Sequence, residues 1–103
     1  MNQETVYDFE WDPAKALNNV HKHDVSFDQA ATVFVDALAL TIYDAAHSLD
    51  DERWFTLGFD ASGRLLAVAH TYQTIGPNRA RIRIISARKA TRRERRYYEE
   101  EPR

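Results

Sequence analysis

The sequence contains no cysteine. Disulfides, zinc–thiolate sites and thiol nucleophiles are excluded together. Glycine and proline number three each, and so little glycine leaves no phosphate-cradling loop. No P-loop, dinucleotide fingerprint, His-Glu-x-x-His or serine-triad spacing occurs. No apolar run approaches the ~20 residues that span a bilayer. The first residues, MNQETVYDFEW, lack the basic and apolar regions of a secretory signal. The expected compartment is the cytoplasm, with no membrane partner. His21 and His23 form a His-x-His pair without a convincing third ligand, so neither a metal nor a cofactor is expected.

What is present fits one globular domain, residues 1–103. Hydrophobic residues make up 44% and aromatics 12%, above the range of disordered chains. The net charge of −2 hides an asymmetry. Residues 1–78 hold four basic and twelve acidic side chains, a balance of −8. Residues 79–96 hold nine basic and one acidic, a balance of +8, and residues 97–103 contribute −2. The basic segment reads as a surface for an anionic ligand, most often nucleic acid, or as a dock for an acidic protein. A solvated helical face is the plain alternative.

Local signals predict the elements. Val6–Glu10 is a short extended piece. Asp12-Pro13 opens a helix reaching about Val20–Lys22, with Ala16, Leu17 and Val20 on its apolar stripe. Ser26 to Gln29 has capping-box spacing, and Phe27, Ala30, Ala31 and Phe34 fall on one helical face. A helical hairpin follows, with Trp11 sealing it. Strands are expected at Ala39–Tyr43, Glu52–Phe59, Arg64–Tyr72 and Arg79–Ser86, joined by turns at Asp60–Gly63 and Ile75–Asn78. In the last strand Arg79, Arg81 and Arg83 alternate with Ala80, Ile82 and Ile84. Thr91 to Glu94 is a second capping box, opening a helix over about Arg92–Glu100, with Tyr97 and Tyr98 as anchors. Its arginines lie in the first turn and its glutamates in the last, against the helix dipole by ~0.3–1 kcal/mol per charge. The fold class is therefore α+β: a helical hairpin, a three- to four-stranded antiparallel sheet and a C-terminal helix.

An ordered set of residues resembles one family. It comprises Phe9-Glu10-Trp11-Asp12 with Lys15 and Asn18, Lys22-His23, Val25-Ser26-Phe27, Ala30, Val33-Phe34 and Asp36. It continues through Asp44, His47-Ser48, Glu52-Arg53, Gly58, Gly63-Arg64, Arg83 to Ala90, Glu94-Arg95 and Tyr98. Over residues 9–98 the chain resembles the BrnT family, the toxin half of a bacterial type II toxin–antitoxin pair. One position departs: the family usually has glycine after the Lys-His pair, and here Asp24 stands there. Aspartate also tolerates the left-handed turn conformation.

The resemblance implies a RelE-like fold and a metal-independent ribonuclease that inhibits translation. It implies a BrnA-like antitoxin as partner, RNA as substrate, and operator DNA reached only through the antitoxin. It also points to Arg64, Arg83, Ser86 and Arg88 as site residues. Arginine's planar fork suits a phosphorane, so Arg83 and Arg88 are assigned to phosphate, Ser86 to hydrogen bonding there, and Arg64 to support at the hairpin end. His47 is the expected proton-transfer group, because imidazole titrates near neutrality. Expected RNA contacts are Lys22, His23, Arg79, Arg81, Lys89, Arg92 and Trp54. Trp54 would stack on a base or pack under the C-terminal helix, and His70, inside a strand, is expected to pack. A non-catalytic basic or RNA-binding domain docking an acidic partner stays open as an alternative. Strict alternation separates Arg83 from Ser86 and Arg88. A bulge at Ile84-Ile85, with both isoleucines inward, would bring the three onto one face.

Overall fold

The computed structural model describes residues 4–48 and 52–102. Its elements are β1 (Val6–Glu10), α1 (Pro13–His23), α2 (Phe27–Ala31), β2 (Leu40–Tyr43), β3 (Arg53–Phe59), β4 (Leu65–Thr71), β5 (Gln73–Gly76), β6 (Arg79–Lys89) and α3 (Arg92–Glu100). Short 3₁₀ turns cover Thr32–Val35 and Ala45–His47.

The helix ends follow their capping chemistry. Asp12 accepts from the Ala14 N–H and Pro13 opens α1. Asp24 closes α1 in the left-handed region at φ 56°, so the aspartate does occupy the conformation that glycine favours. Ser26 accepts from the Gln29 N–H, and Thr91 and Glu94 form a reciprocal capping box. Within α2 and the turn after it, the buried residues are Phe27, Ala30 and Val33, spaced by three. That period belongs to a 3₁₀ helix. Val33 therefore enters the core and Phe34 stays at its rim, where α-helical spacing had placed Phe34.

The apolar stripe expected on α1 is corrected. Leu17 and Val20 are 63% and 41% exposed, and the buried residue of the helix is Asn19. The Asn19 Nδ2 donates to the carbonyls of Val25 and Ala87, both at 2.8 Å, and its Oδ1 accepts from the Ala87 N–H at 3.1 Å. The parallel neighbour of β6 ends at Arg83. Asn19 thus does at Ala87 what another strand would do.

The sheet has six strands, in the order β1-β6-β4-β3-β2, with β5 also paired to β6. The expected sheet of three or four antiparallel strands is too small, and the short extended piece expected at Val6–Glu10 joins the sheet as β1, paired in parallel. β1 runs parallel to β6, Val6 opposite Arg79 through Glu10 opposite Arg83. The cause is the length of β6. β4 pairs only with Ile84–Lys89, so the backbone groups of the first half need other partners. β1 and β5 supply them.

Side-chain alternation along β4 explains why it is apolar on both faces. Leu66 and Val68 join Val25, Phe27, Val33, Ile82 and Ile84 in the core beneath α1 and α2. Leu65 and Ala67 join Leu57 and Tyr98 beneath α3. Trp11 meets Phe27 edge-on at 6.0 Å. Tyr98 is buried and Tyr97 half exposed, so one tyrosine anchors α3 as expected. The Tyr98 hydroxyl donates to Asp36 at 2.6 Å and its ring lies edge-on to Phe59. Gly58 is required by close approach: a Cβ there would lie 2.8 Å from Val33 Cγ1.

Candidate functional site

The register of β6 slips once. Ser86 stands opposite Ala69 and Ile84 opposite His70, leaving Ile85 as the extra residue. This is the bulge expected if Arg83, Ser86 and Arg88, the residues the resemblance groups together, are to share a face. Ile84 and Ala87 both face the α1–α2 core, so Arg83, Ser86 and Arg88 share the opposite face. Ile85 is only half-buried and outside the core cluster, which corrects the expectation that both isoleucines point inward.

Arg83 lies in a polar pocket of about 390 Å3, bordered by Glu10, Glu52, Thr71, Tyr72 and Gln73. Arg83 and Glu10 also border a smaller hollow with Trp11 and Asp12. Among the described residues Arg83 has no ion-pair partner. The local sequence gave no reason to place either glutamate there. Glu10 arrives through the parallel pairing of β1, and Glu52 through the approach to β3.

Several other arginines are engaged, whereas Arg53, Arg92, Arg93 and Arg96, like Arg83, have no ion-pair partner among the described residues. Arg79 makes a two-pronged pair with Asp8, both bonds at 2.9 Å, and Arg81 reaches Gln73 at 3.4 Å. Arg88 grips Glu94 through two bonds of 2.7 and 2.9 Å. Arg64 donates to Asp60 and to the Asp24 carbonyl, bracing the β3–β4 turn against the end of α1. The supporting position expected for Arg64 at the hairpin end is where it stands. It lies beyond the first residue of β4, whereas Thr71, which borders the Arg83 pocket, is the last. Six strand steps, roughly 20 Å, separate those ends. Lys22 and His23, at the end of α1, and Lys89, opposite Leu66, lie at the Arg64 end. Arg92 is exposed in the first turn of α3.

His47 is exposed and its Nδ1 lies 2.9 Å from the Asp44 carboxylate. With a proton on Nδ1 directed at Asp44, Nε2 is the atom left open to solvent. The Ser48 hydroxyl accepts from the Arg53 N–H and donates to the Asp44 carbonyl, fixing this turn beside the start of β3. Trp54 does not pack under α3. It stands opposite His70 on the other face and meets Tyr43 of the edge strand β2 edge-on at 5.0 Å, half-buried. His70 is fully buried and edge-on to Phe34. The Thr71 carbonyl can only accept, so Nδ1 carries the proton, and Nε2 accepts from Thr56, which in turn meets Thr41. Burial pushes the His70 imidazole below its ordinary range and keeps it neutral.

Three carboxylates among the described residues are held low, Asp8 chiefly by its hydrogen bonds from Arg79. Burial of Asp60 would raise its pKa, but hydrogen bonds from Arg64 and Ser62 outweigh it. Glu94 is lowered chiefly by the hydrogen bonds from Arg88. The folded chain therefore binds this proton less readily than the unfolded one. The contribution of the pair is full above the unfolded carboxylate value, about 4.3, and is lost as the pH falls through the lower folded value. The Tm advantage of the wild type over Glu94→Gln is expected to shrink through that window in thermal melts; an advantage that grows on acidification would contradict the assignment.

On the same sheet face as Arg83, an apolar trough of about 330 Å3 runs between Ile42, Phe55 and Leu57 and α3 at Tyr97. Among the described residues its charged borders are Arg93 and Glu94. Among the described residues, no three His, Cys, Asp or Glu side chains gather to hold a metal ion. No helix among them is long and apolar enough to cross a membrane.

Fold and site together define a small mixed α+β domain with an open polar cleft around Arg83, which has no ion-pair partner among the described residues. The family model described as the ribonuclease toxin, BrnT, of type II toxin–antitoxin systems matches residues 11–94. The chain belongs to this BrnT family of ribonuclease toxins, and membership implies an antitoxin protein as partner. The crystal structure of the Brucella abortus ribonuclease toxin BrnT is similar, with a TM-score of 0.59 and 21% identity. The match covers 85% of this chain and 100% of that one, and at this identity the likeness is one of fold. No curated protein matches the sequence at a significant level.

Proposed function

We propose that the chain is a metal-independent endoribonuclease, a single RelE-like toxin domain that cleaves RNA in the cytoplasm and so inhibits translation. The observation that carries this reading is Arg83 in its polar pocket, with no ion-pair partner among the described residues. A guanidinium there can bind two phosphate oxygens and offset the charge that builds on the phosphorane. The ribose 2′-oxygen attacks phosphorus, the bond to the 5′-oxygen breaks, and a 2′,3′-cyclic phosphate remains. His47, oriented by Asp44, moves protons through its open Nε2.

Ser86 and Arg88 extend the site along the face of β6. Four residues, one of them the bulge, separate Arg83 from Arg88, a span of roughly 13 Å, so Arg88 serves a different phosphate or, while gripped by Glu94, holds α3 in place. Arg64 supports the hairpin end. Arg79, Arg81, Lys89, Arg92, Lys22 and His23 contact the RNA backbone, and Trp54 offers a ring at the sheet edge for stacking. A BrnA-like antitoxin covers the basic face and alone carries the contact to operator DNA.

The test is direct. The purified chain is incubated with single-stranded RNA in excess chelator. Cleavage to 2′,3′-cyclic phosphate and 5′-hydroxyl ends is expected, and a 2′-deoxy nucleotide at the cut should block it. Binding with no cleavage would leave the non-catalytic RNA-binding domain in its place.

A further inference from the structure

The Arg83 pocket holds two carboxylates that the mechanism above leaves unused. Across the sheet the order is Glu10 on β1, Arg83 on β6, Thr71 at the end of β4, and Glu52 just before β3. The two acids therefore stand on opposite sides of the arginine. Neither pairs with it or with any other described cation. Elsewhere this chain does pair neighbouring opposite charges: Asp8 with Arg79 on the same two strands, and Glu94 with Arg88. An unpaired carboxylate beside a phosphate site repels the substrate, so its presence weakens binding unless it takes part in the reaction. The reaction has a use for it. The attacking and leaving oxygens lie in line on opposite sides of phosphorus, and one of them must lose a proton while the other gains one.

We propose that Glu52 is the general base of the cleavage reaction, an inference that rests on the ribonuclease reading. Its carboxylate takes the proton from the 2′-hydroxyl as the bond from the 2′-oxygen to phosphorus forms. The bond to the 5′-oxygen breaks, and that oxygen takes a proton from the His47 imidazolium. Exchange with water restores both groups. Glu52 is next to Arg53, whose N–H is bonded to Ser48 of the His47 turn. Among the described residues, the charged and titratable groups facing Glu52 across the pocket are Arg83, Glu10 and Tyr72. Exposure of Glu52 leaves room for a ribose to approach.

Single-turnover cleavage of an RNA oligonucleotide is measured against pH, together with the Kd for the same RNA carrying uncleavable 2′-O-methyl groups. Glu52→Gln is expected to slow cleavage on the order of 10²-fold and to lose the acid limb of the pH–rate profile. Its Kd should stay equal or become tighter, because a repelling charge is gone. A residue that merely held structure or RNA would not slow cleavage while strengthening binding. Glu10→Gln should cleave faster than Glu52→Gln. Wild-type cleavage by Glu52→Gln overturns the inference and leaves the ribonuclease reading intact. Intact RNA with the wild-type chain removes both.

Discussion

Replacing Arg83 by alanine is expected to slow RNA cleavage about 10²–10³-fold and to leave the Tm unchanged. The side chain is exposed, sits in a polar pocket and holds no ion pair, so folding loses little when it is removed. In the reaction it faces the phosphorane, where negative charge is greatest. A preorganised donor at such a point acts without reorganisation cost at the moment of reaction, which is why single donors carry effects of this size. Arg83→Lys should recover part of the rate, because it keeps the charge and loses the two-pronged geometry. The measurement is kcat/KM on an RNA oligonucleotide beside a thermal melt. Near-wild-type cleavage by Arg83→Ala would place the chemistry elsewhere.

Asn19→Ala is expected to cost stability on the order of 3 kcal/mol. The change removes three buried hydrogen bonds and leaves the Ala87 N–H and C=O and the Val25 C=O without their partner. Each buried group left unsatisfied costs roughly 1–3 kcal/mol, offset where water enters the space. For a domain of this size that lowers Tm by about 12–20 °C. Asn19→Asp should be at least as damaging, because a carboxylate cannot donate to two carbonyls. Urea or thermal unfolding decides it; a Tm change below a few degrees would show that Asn19 does not support β6. The consequence reaches the site, because Ala87 lies between Ser86 and Arg88 in the strand that Asn19 steadies.

Asn19 also shows a limit of sequence reading. Its neighbours Leu17 and Val20 suggest an apolar stripe, yet the helix turns the asparagine inward. The gain of pairing an otherwise open strand edge exceeds that of burying two more apolar side chains, and this gain exists only once β6 is in place. Trp54 is similar. Strand alternation was legible, but which face meets α3 depends on packing across four strands. The bulge in β6 was anticipated because strict alternation would separate Arg83 from Ser86 and Arg88, which the family resemblance groups in one site.

What the sequence by itself determined is local. Asp12, Ser26 and Thr91 set helix starts, Asp24 and Gly63 take left-handed positions, and alternation marks the strands. Each of these rests on residues within a few positions, whose mutual sterics and hydrogen bonds hold in any surroundings. What only the tertiary structure decided is which charges are free. Arg64 and Arg88 are taken by acids four and six residues away, and Arg79 by Asp8 from the far end of the chain. Arg83 stays open because β1 pairs in parallel with β6 and sets Glu10 beside it without closing an ion pair. That register joins segments more than seventy residues apart. It is fixed by the unpaired backbone of β6 and the core beneath it, a balance that no local window of sequence contains.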